Sequence, residues 1–306
     1  TTFDSGVYFR NGNTGARARL DTVAGGISGI RATTTESNST FTVGTLLFAL
    51  TQTVEPITDS MGQTGSLLTQ TYRIRNLSFA TAHFELVRYY DGDLNYVTPG
   101  ATDGGGHLVA NSGEDVMFIT DEAGPPGLPT TFVGVTGLGG LNVGAGRFQS
   151  DTPAFLAAIQ AGTALNDAVT NDVDGDEFVD AGLDLDVAVA LQNNFRLLPL
   201  RTVSYTTHTI FGSGSPTVAA TNMVPMAVDD FVLLPAGAQG GTVTIDVTAN
   251  DSDADGALDV TSVMVVSQPV NGTVVILGNG LIEFTSDPGF VGMDLFQSSI
   301  AHNQVS

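Results

Sequence analysis

Residues 81–90, TAHFELVRYY, carry two interleaved sets of side chains. His83, Glu85, Val87 and Tyr89 alternate with Phe84, Leu86, Arg88 and Tyr90. A period of two places successive side chains on opposite faces, which an extended strand does and a helix does not. Further strand candidates lie at 66–78, 114–120, 130–136, 184–195 and 201–211, separated by clusters of Gly, Asn and Asp. With 37 Gly and many Thr and Val, the pattern is that of an all-β protein with frequent turns. One segment departs from it. TPAFLAAIQAGTALNDAV, 152–169, has the Ala and Leu spacing of a helix, with Asp151 or Thr152 as its N-cap.

A chain of 306 residues is long enough for two domains. The stretch FGSGSPTVAATNMVP, 211–225, is small, polar and proline-bearing, with no strand periodicity. The expected organisation is a large β-sandwich-type domain with one helix over 1–215, a linker at 216–226, and a small β domain over 227–306. A hydrophobic fraction of 42%, with 17 Phe and 6 Tyr, is enough for a sizeable core in the first of these.

The charge is lopsided: 32 acidic against 10 basic residues, a formal net charge of -22, and every basic residue an arginine. Such a surface argues against nucleic acid and anionic lipid, both of which need clustered cations. It favours solubility and divalent counterions. The absence of Cys excludes disulfides, thiolate metal sites and cysteine nucleophiles. No apolar run approaches the roughly 20 residues of a membrane span, so membrane insertion is not expected. The opening TTFDSGVYF shows no charged n-region followed by an apolar h-region, and it reads as the start of a mature or trimmed product. The four His (His83, His107, His208, His302) show no HExxH spacing, and lysine chemistry is impossible. The glycine-rich GLGGLNVGAG, 137–146, lacks a phosphate-loop lysine and reads as a plain loop.

The C-terminal stretch carries a resemblance. AVDD (227–230), IDVTANDSDADG (245–256), LDVTSV (258–263), PVNGTV (269–274) and IEFTSDPGFVGMDLF (282–296) resemble, in order and spacing, the cadherin-like, Ig-like repeat found in tandem along large bacterial surface adhesins. The resemblance covers most of 227–300 and leaves 1–215 unrecognised. It implies a small Ig-like β-sandwich, an extracellular or cell-surface location, and calcium near the module's end. The positions matching its acidic motifs are Asp229, Asp230, Asn250, Asp251, Asp253 and Asp255. Crowded carboxylates and carbonyls are the hard oxygen ligands calcium takes; the alternative is a solvated Asx-type turn. Repeats of this kind continue into a closing strand, whereas the equivalent here, LFQSSIAHNQVS, stops at Ser306. The module is therefore expected to lack its last strand and to leave an open edge for another chain, unless the chain continues beyond these residues.

A second acidic stretch, NDVDGDEFVDAGLDLD, spans 171–186. Asp172, Asp174, Asp176 and Asp180 fall at offsets 1, 3, 5 and 9 of a calcium loop, with the Phe178 carbonyl at offset 7. Offset 6, where an EF-hand has Gly, is Glu177, and offset 12 is Leu183, so Asp184 or Asp186 is the candidate for the remaining carboxylate. Again the alternative is a solvated turn. The segment 89–108 mixes Tyr89, Asp91, Asp93, Asp103 and His107 and could line a sugar site, or be a hairpin followed by a glycine loop.

These features lead to an extracellular, calcium-stabilised structural or adhesive surface protein, expected as a filament or matrix subunit that self-associates through an open β edge by strand complementation. A module binding glycans or other surface proteins is the second reading. A secreted hydrolase with an accessory Ig-like domain is the third, and no catalytic constellation supports it.

Overall fold

The computed structural model describes residues 4–58, 64–92, 94, 103–110, 114–141, 145–217, 230, 232, 240–251 and 257–303. The chain divides into two units, Thr1–Thr221 and Asn222–Ser306. In the first, the elements run β1 (Asp4–Asn11), β2 (Ala18–Arg19), α1 (Leu20–Val23), β3 (Gly25–Ala32), β4 (Glu36–Val43), β5 (Leu46–Thr58), β6 (Thr64–Asn76) and β7 (Ala82–Asp91). They continue through β8 (Gly104–Val109), β9 (Asp115–Thr120), β10 (Thr130–Thr136), β11 (Arg147–Asp151), α2 (Leu156–Ala161), β12 (Ala168–Val169), β13 (Ala188–Leu197) and β14 (Thr202–Gly214). A six-stranded sheet has the order β12-β11-β13-β7-β1-β2, and an eight-stranded sheet the order β3-β4-β5-β6-β14-β10-β9-β8. The all-β expectation holds, and each strand expected from periodicity in this unit is present within a few residues.

Aromatic rings join the two sheets. Phe9 of β1 meets Phe48 of β5 edge-on at 6.3 Å, and Phe195 of β13 meets Tyr205 of β14 at 6.0 Å. Leu86, Ile74 and Tyr72 fill the same core. A second cluster, with Met117, Ile119, Val133, Val189 and Leu191, extends it toward β8–β10. The alternation read in 81–90 is correct, but beyond the exposed His83 neither face of β7, from Phe84 to Asp91, reaches solvent. Phe84 and Leu86 enter the sandwich core, whereas Val87 and Tyr89 enter a separate cluster with Tyr8, Phe155, Ile159 and Leu165 beneath α2. Covered on both faces, the strand buries Glu85 and Arg88 too.

The helix is shorter than its composition suggests. A 3-10 turn at Pro153–Phe155 leads into α2, which stops at Ala161. Thr152 takes the N-cap position of the turn but makes no side-chain cap bond, and Asp151 Oδ1 accepts only from Thr152 N–H. Gly162 ends the helix in the left-handed region (φ 90°, ψ 14°), donating to Ile159 O while Thr163 N–H reaches Ala158 O, the usual glycine stop. The freed helix-end carbonyls are taken by buried arginines. Arg17 Nη1 donates to Ile159 O at 2.9 Å and Thr163 O at 2.6 Å, and Arg10 Nη1 donates to Gly162 O at 2.9 Å. Glu85 holds both guanidinium groups: Arg10 at 2.6 Å and Arg17 through Nε.

In the second unit β15 (Thr242–Asp246), β18 (Leu281–Ser286) and β17 (Gly272–Gly278) form a three-stranded sheet, while β16 (Ala257–Ser267) pairs with β19 (Gln297–Asn303). Val247, Val263, Val274 and Ile282 form its core, packed with Ile245, Val265, Phe284, Phe296 and Ile300. No helix among the described residues is long and apolar enough to cross a membrane.

Candidate metal centre

The acidic loop between β12 and β13 is organised by its own aspartates. Asp172 Oδ1 accepts from Gly175 N–H at 2.7 Å and its Oδ2 from Glu177 N–H at 3.1 Å. Asp174 accepts from Asp176 N–H, Asp176 from Phe178 N–H, and Asp180 Oδ2 from Val173 N–H at 2.6 Å. These Asx-type bonds curl the backbone so that carboxylate oxygens of Asp172, Asp174 and Asp176 all lie within 4.8 Å of one another. The Asp176 carboxyl is held above its ordinary range by partial burial and by the charges of Asp174, Asp172 and Asp180, against a bond from Phe178 N–H. A divalent cation would reverse that tendency.

Glu177 sits in the left-handed region at φ 62°, the conformation for which calcium loops use glycine. A non-glycine residue is held there by two anchors. Its carbonyl accepts from His107 N–H at 2.9 Å, and its carboxylate meets His107 Nδ1 at 2.5 Å. Val179 N–H donates to Gly105 O, and the Phe178 ring is buried over Gly106, where a Cβ would collide with it. The loop is thus stitched to β8. His107 also bonds Asp115 at 2.8 Å and stacks on Phe148 at 3.8 Å. Burial alone would lower its pKa, but the bonds to Asp115 and Glu177 outweigh this and raise it. His208 behaves oppositely: enclosed beside Thr136, it is pushed down to about 4 by burial.

Of the residues expected to bind calcium in this loop, Asp172, Asp174 and Asp176 converge. Phe178 can contribute only its carbonyl, and Asp180 faces Val173 N–H. Asp184 is directed elsewhere, its Oδ1 accepting from Ala123 N–H at 3.0 Å. In the 89–108 segment Asp91, Asp103 and His107 are buried, while Asp93 lies outside the described residues. The role of His107 was not readable from sequence, since one partner is eight residues away and the other seventy.

The family comparison settles the second unit. Residues 222–304 match the family model of the bacterial Ig domain. No curated protein matches the chain. Among solved structures, one described as a kojibiose phosphorylase from human microbiome aligns at 9% identity and TM-score 0.34, over 66% of this chain and 21% of that one. A polysaccharide lyase aligns at 10% identity and TM-score 0.36, over 97% of this chain and 38% of that one. The chain therefore spans well under half the length of either, and likeness this low carries no functional inference.

Within the Ig domain, Asp230 is exposed and Asp251 N–H donates to Thr248 O at 3.2 Å beside Asn250. Asp229, Asp253 and Asp255, the other expected ligands, lie outside the described residues. The edge strand β17 exposes Val275, Ile276 and Leu277 by 56%, 44% and 52%, and no charged residue interrupts it.

Proposed function

We propose that this chain is part of an extracellular bacterial surface protein with a structural or adhesive role, braced by calcium and able to self-associate through a β edge. The observation that carries the reading is the bacterial Ig domain at 222–304, a module typical of surface and extracellular proteins. Asp172, Asp174 and Asp176 would supply the carboxylates in the first unit, with Asp180 and the Phe178 carbonyl at hand. Calcium there would pin a loop already fastened to β8, which is a mechanical rather than a chemical service. The uncharged apolar edge of β17 is the kind that accepts a further strand, from a second copy or from another surface protein.

The test is negative-stain imaging of the native protein in calcium and again after EGTA. Filaments or ordered oligomers that loosen on chelation are expected. Discrete monomers under both conditions would remove self-association from the reading and leave a ligand-binding surface module.

A further inference from the structure

The β4–β5, β6–β7 and β13–β14 turns meet at one end of the first unit, and the fully buried Asn76 fastens them. Its Nδ2 donates to Ala80 O at 2.7 Å, Leu197 O at 3.2 Å and Leu198 O at 3.3 Å. Its Oδ1 accepts from the N–H and hydroxyl of Ser78. Asn76 N–H donates to Arg201 O, and Leu77 N–H to Thr45 O. The turns so joined present Leu77, Phe79, Leu198 and Leu200 to solvent, with Phe79 at 89% exposure. Leu200 is held in the left-handed region at φ 58°, a conformation that non-glycine residues seldom adopt. Grouped apolar exposure of this kind marks an interaction surface, whereas single exposed apolar residues do not.

The same turns are basic in an otherwise acidic molecule. Arg75, Arg196 and Arg201 are exposed, and none pairs with a carboxylate among the described residues. Arg201 precedes Thr202, which stands opposite Arg75 on β6, and Arg196 stands opposite His83 on β7. Residues 43–50, 73–84 and 194–206 contain no Asp or Glu, in a chain whose net charge is -22. Elsewhere Arg10, Arg17, Arg19 and Arg147 are each engaged by a carboxylate. A patch that leaves its arginines unpaired suits an acidic partner.

The Ig unit has the complementary chemistry. From Asn222 to Ser306 there are nine Asp and one Glu, with neither Arg nor Lys. Asp294 accepts from the N–H groups of Val270, Asn271 and Leu295, which ties 270–271 to the 291–295 segment. Val270, Val291, Met293 and Leu295 are all exposed there. Asp287 N–H donates to Asn271 O at 2.9 Å, so the exposed Asp287 borders the same face.

We propose that the arginine-rimmed apolar patch of one copy docks on the acidic apolar face of the Ig unit of a second copy, head to tail. The contact rests on the self-association reading above and is separate from the β17 edge. It joins two different surfaces, so it can propagate from copy to copy.

Sedimentation of the whole chain in calcium, over a concentration series, tests the contact. Mass that grows with concentration is expected of the parent. Phe79→Ala, which removes an exposed aromatic anchor, should weaken association by at least about tenfold without moving the melting temperature. Arg201→Glu and Asp287→Arg should each weaken it by about tenfold. Mixing these two variants should restore assembly, because each then offers the surface that the other needs. Assembly unchanged by Phe79→Ala and Arg201→Glu overturns this contact and leaves the β17 edge standing. A parent that is monomeric at every concentration overturns both. A mixture that sediments like its separate components overturns the docking on the Ig unit.

Discussion

Replacing Glu85 by Gln tests how the first unit holds its helix end. Glu85 is 1% exposed and accepts from Arg10 and Arg17, themselves 7% and 3% exposed. Breaking a buried ion pair from one side typically costs about 3–5 kcal/mol, because the surviving charge stays buried. Both arginines, however, keep carbonyl acceptors: Gly15 and Gly162 for Arg10, Ile159 and Thr163 for Arg17. The loss should therefore fall near the lower end, about 3 kcal/mol. For a unit of this size that is a drop of roughly 6–12 °C in the melting temperature, insensitive to salt because the pair is shielded from it. Arg10→Met, Glu85→Leu and Arg17→Met together provide the sharper test. Buried ion triads can often be replaced by apolar residues at little cost, but here the replacement strips donors from four carbonyls at α2 and the β1–β2 turn. The triple variant should be less stable than Glu85→Gln in urea unfolding followed by far-UV circular dichroism. A triple variant as stable as the parent would refute the idea that the arginines serve as caps for the helix end.

Gly162→Ala should destabilise by at least about 1–3 kcal/mol, because φ is 90° and a Cβ would strike the Gly15 carbonyl; thermal melts check it. His107, whose folded pKa is raised, contributes stability that is present below its unfolded value near ~6.5 and is lost as pH rises through the folded value. His208 has a folded pKa lowered to about 4, so its contribution is full above ~6.5 and is lost as pH falls toward the folded value. Melting curves from acid to mildly alkaline pH should lose the high-pH decline in His107→Gln and part of the low-pH decline in His208→Asn; unchanged profiles would contradict both assignments. Asp174→Asn with Asp176→Asn should abolish whatever calcium binding belongs to the 172–180 loop, measured by calorimetry on EDTA-stripped protein, without shifting the metal-free melting temperature downward.

Strand positions were legible because period-two alternation is a local property, and β9 and β10 follow it nearly residue for residue. The two faces of β7 were not assignable to solvent or core, since that depends on α2 packing over Val87 and Tyr89 from more than sixty residues away. The helix was overestimated because Ala and Leu content extends through 169, while termination depends on Gly162 meeting Gly15. Strand 184–195 began late for a similar reason. Asp184 is drawn to Ala123 N–H and Leu185 bridges Asp103, so regular pairing with β7 starts at Ala188. In the acidic loop, the spacing of Asp172, Asp174 and Asp176 was sufficient because the three residues organise one another through Asx bonds. The anchoring by His107 depends on register between β8 and the loop, which no local pattern encodes.

The outer face of β7 shows the same limit in another form. Alternation places Glu85 and Asp91 on one face of one strand, and nothing in TAHFELVRYYD distinguishes their fates. Pairing with β1 does: the register that sets Glu85 against Arg10 necessarily sets Asp91 against Asp4, six residues along each strand. A slip of two residues would relieve the acidic pair, yet it would separate Glu85 from Arg10 and shift Tyr8 and Phe9 against their core partners. The core and the arginine network therefore fix the register, and at its far end Asp4 is held by the Arg19 guanidinium, which lies over Gly6, and by the Tyr8 hydroxyl.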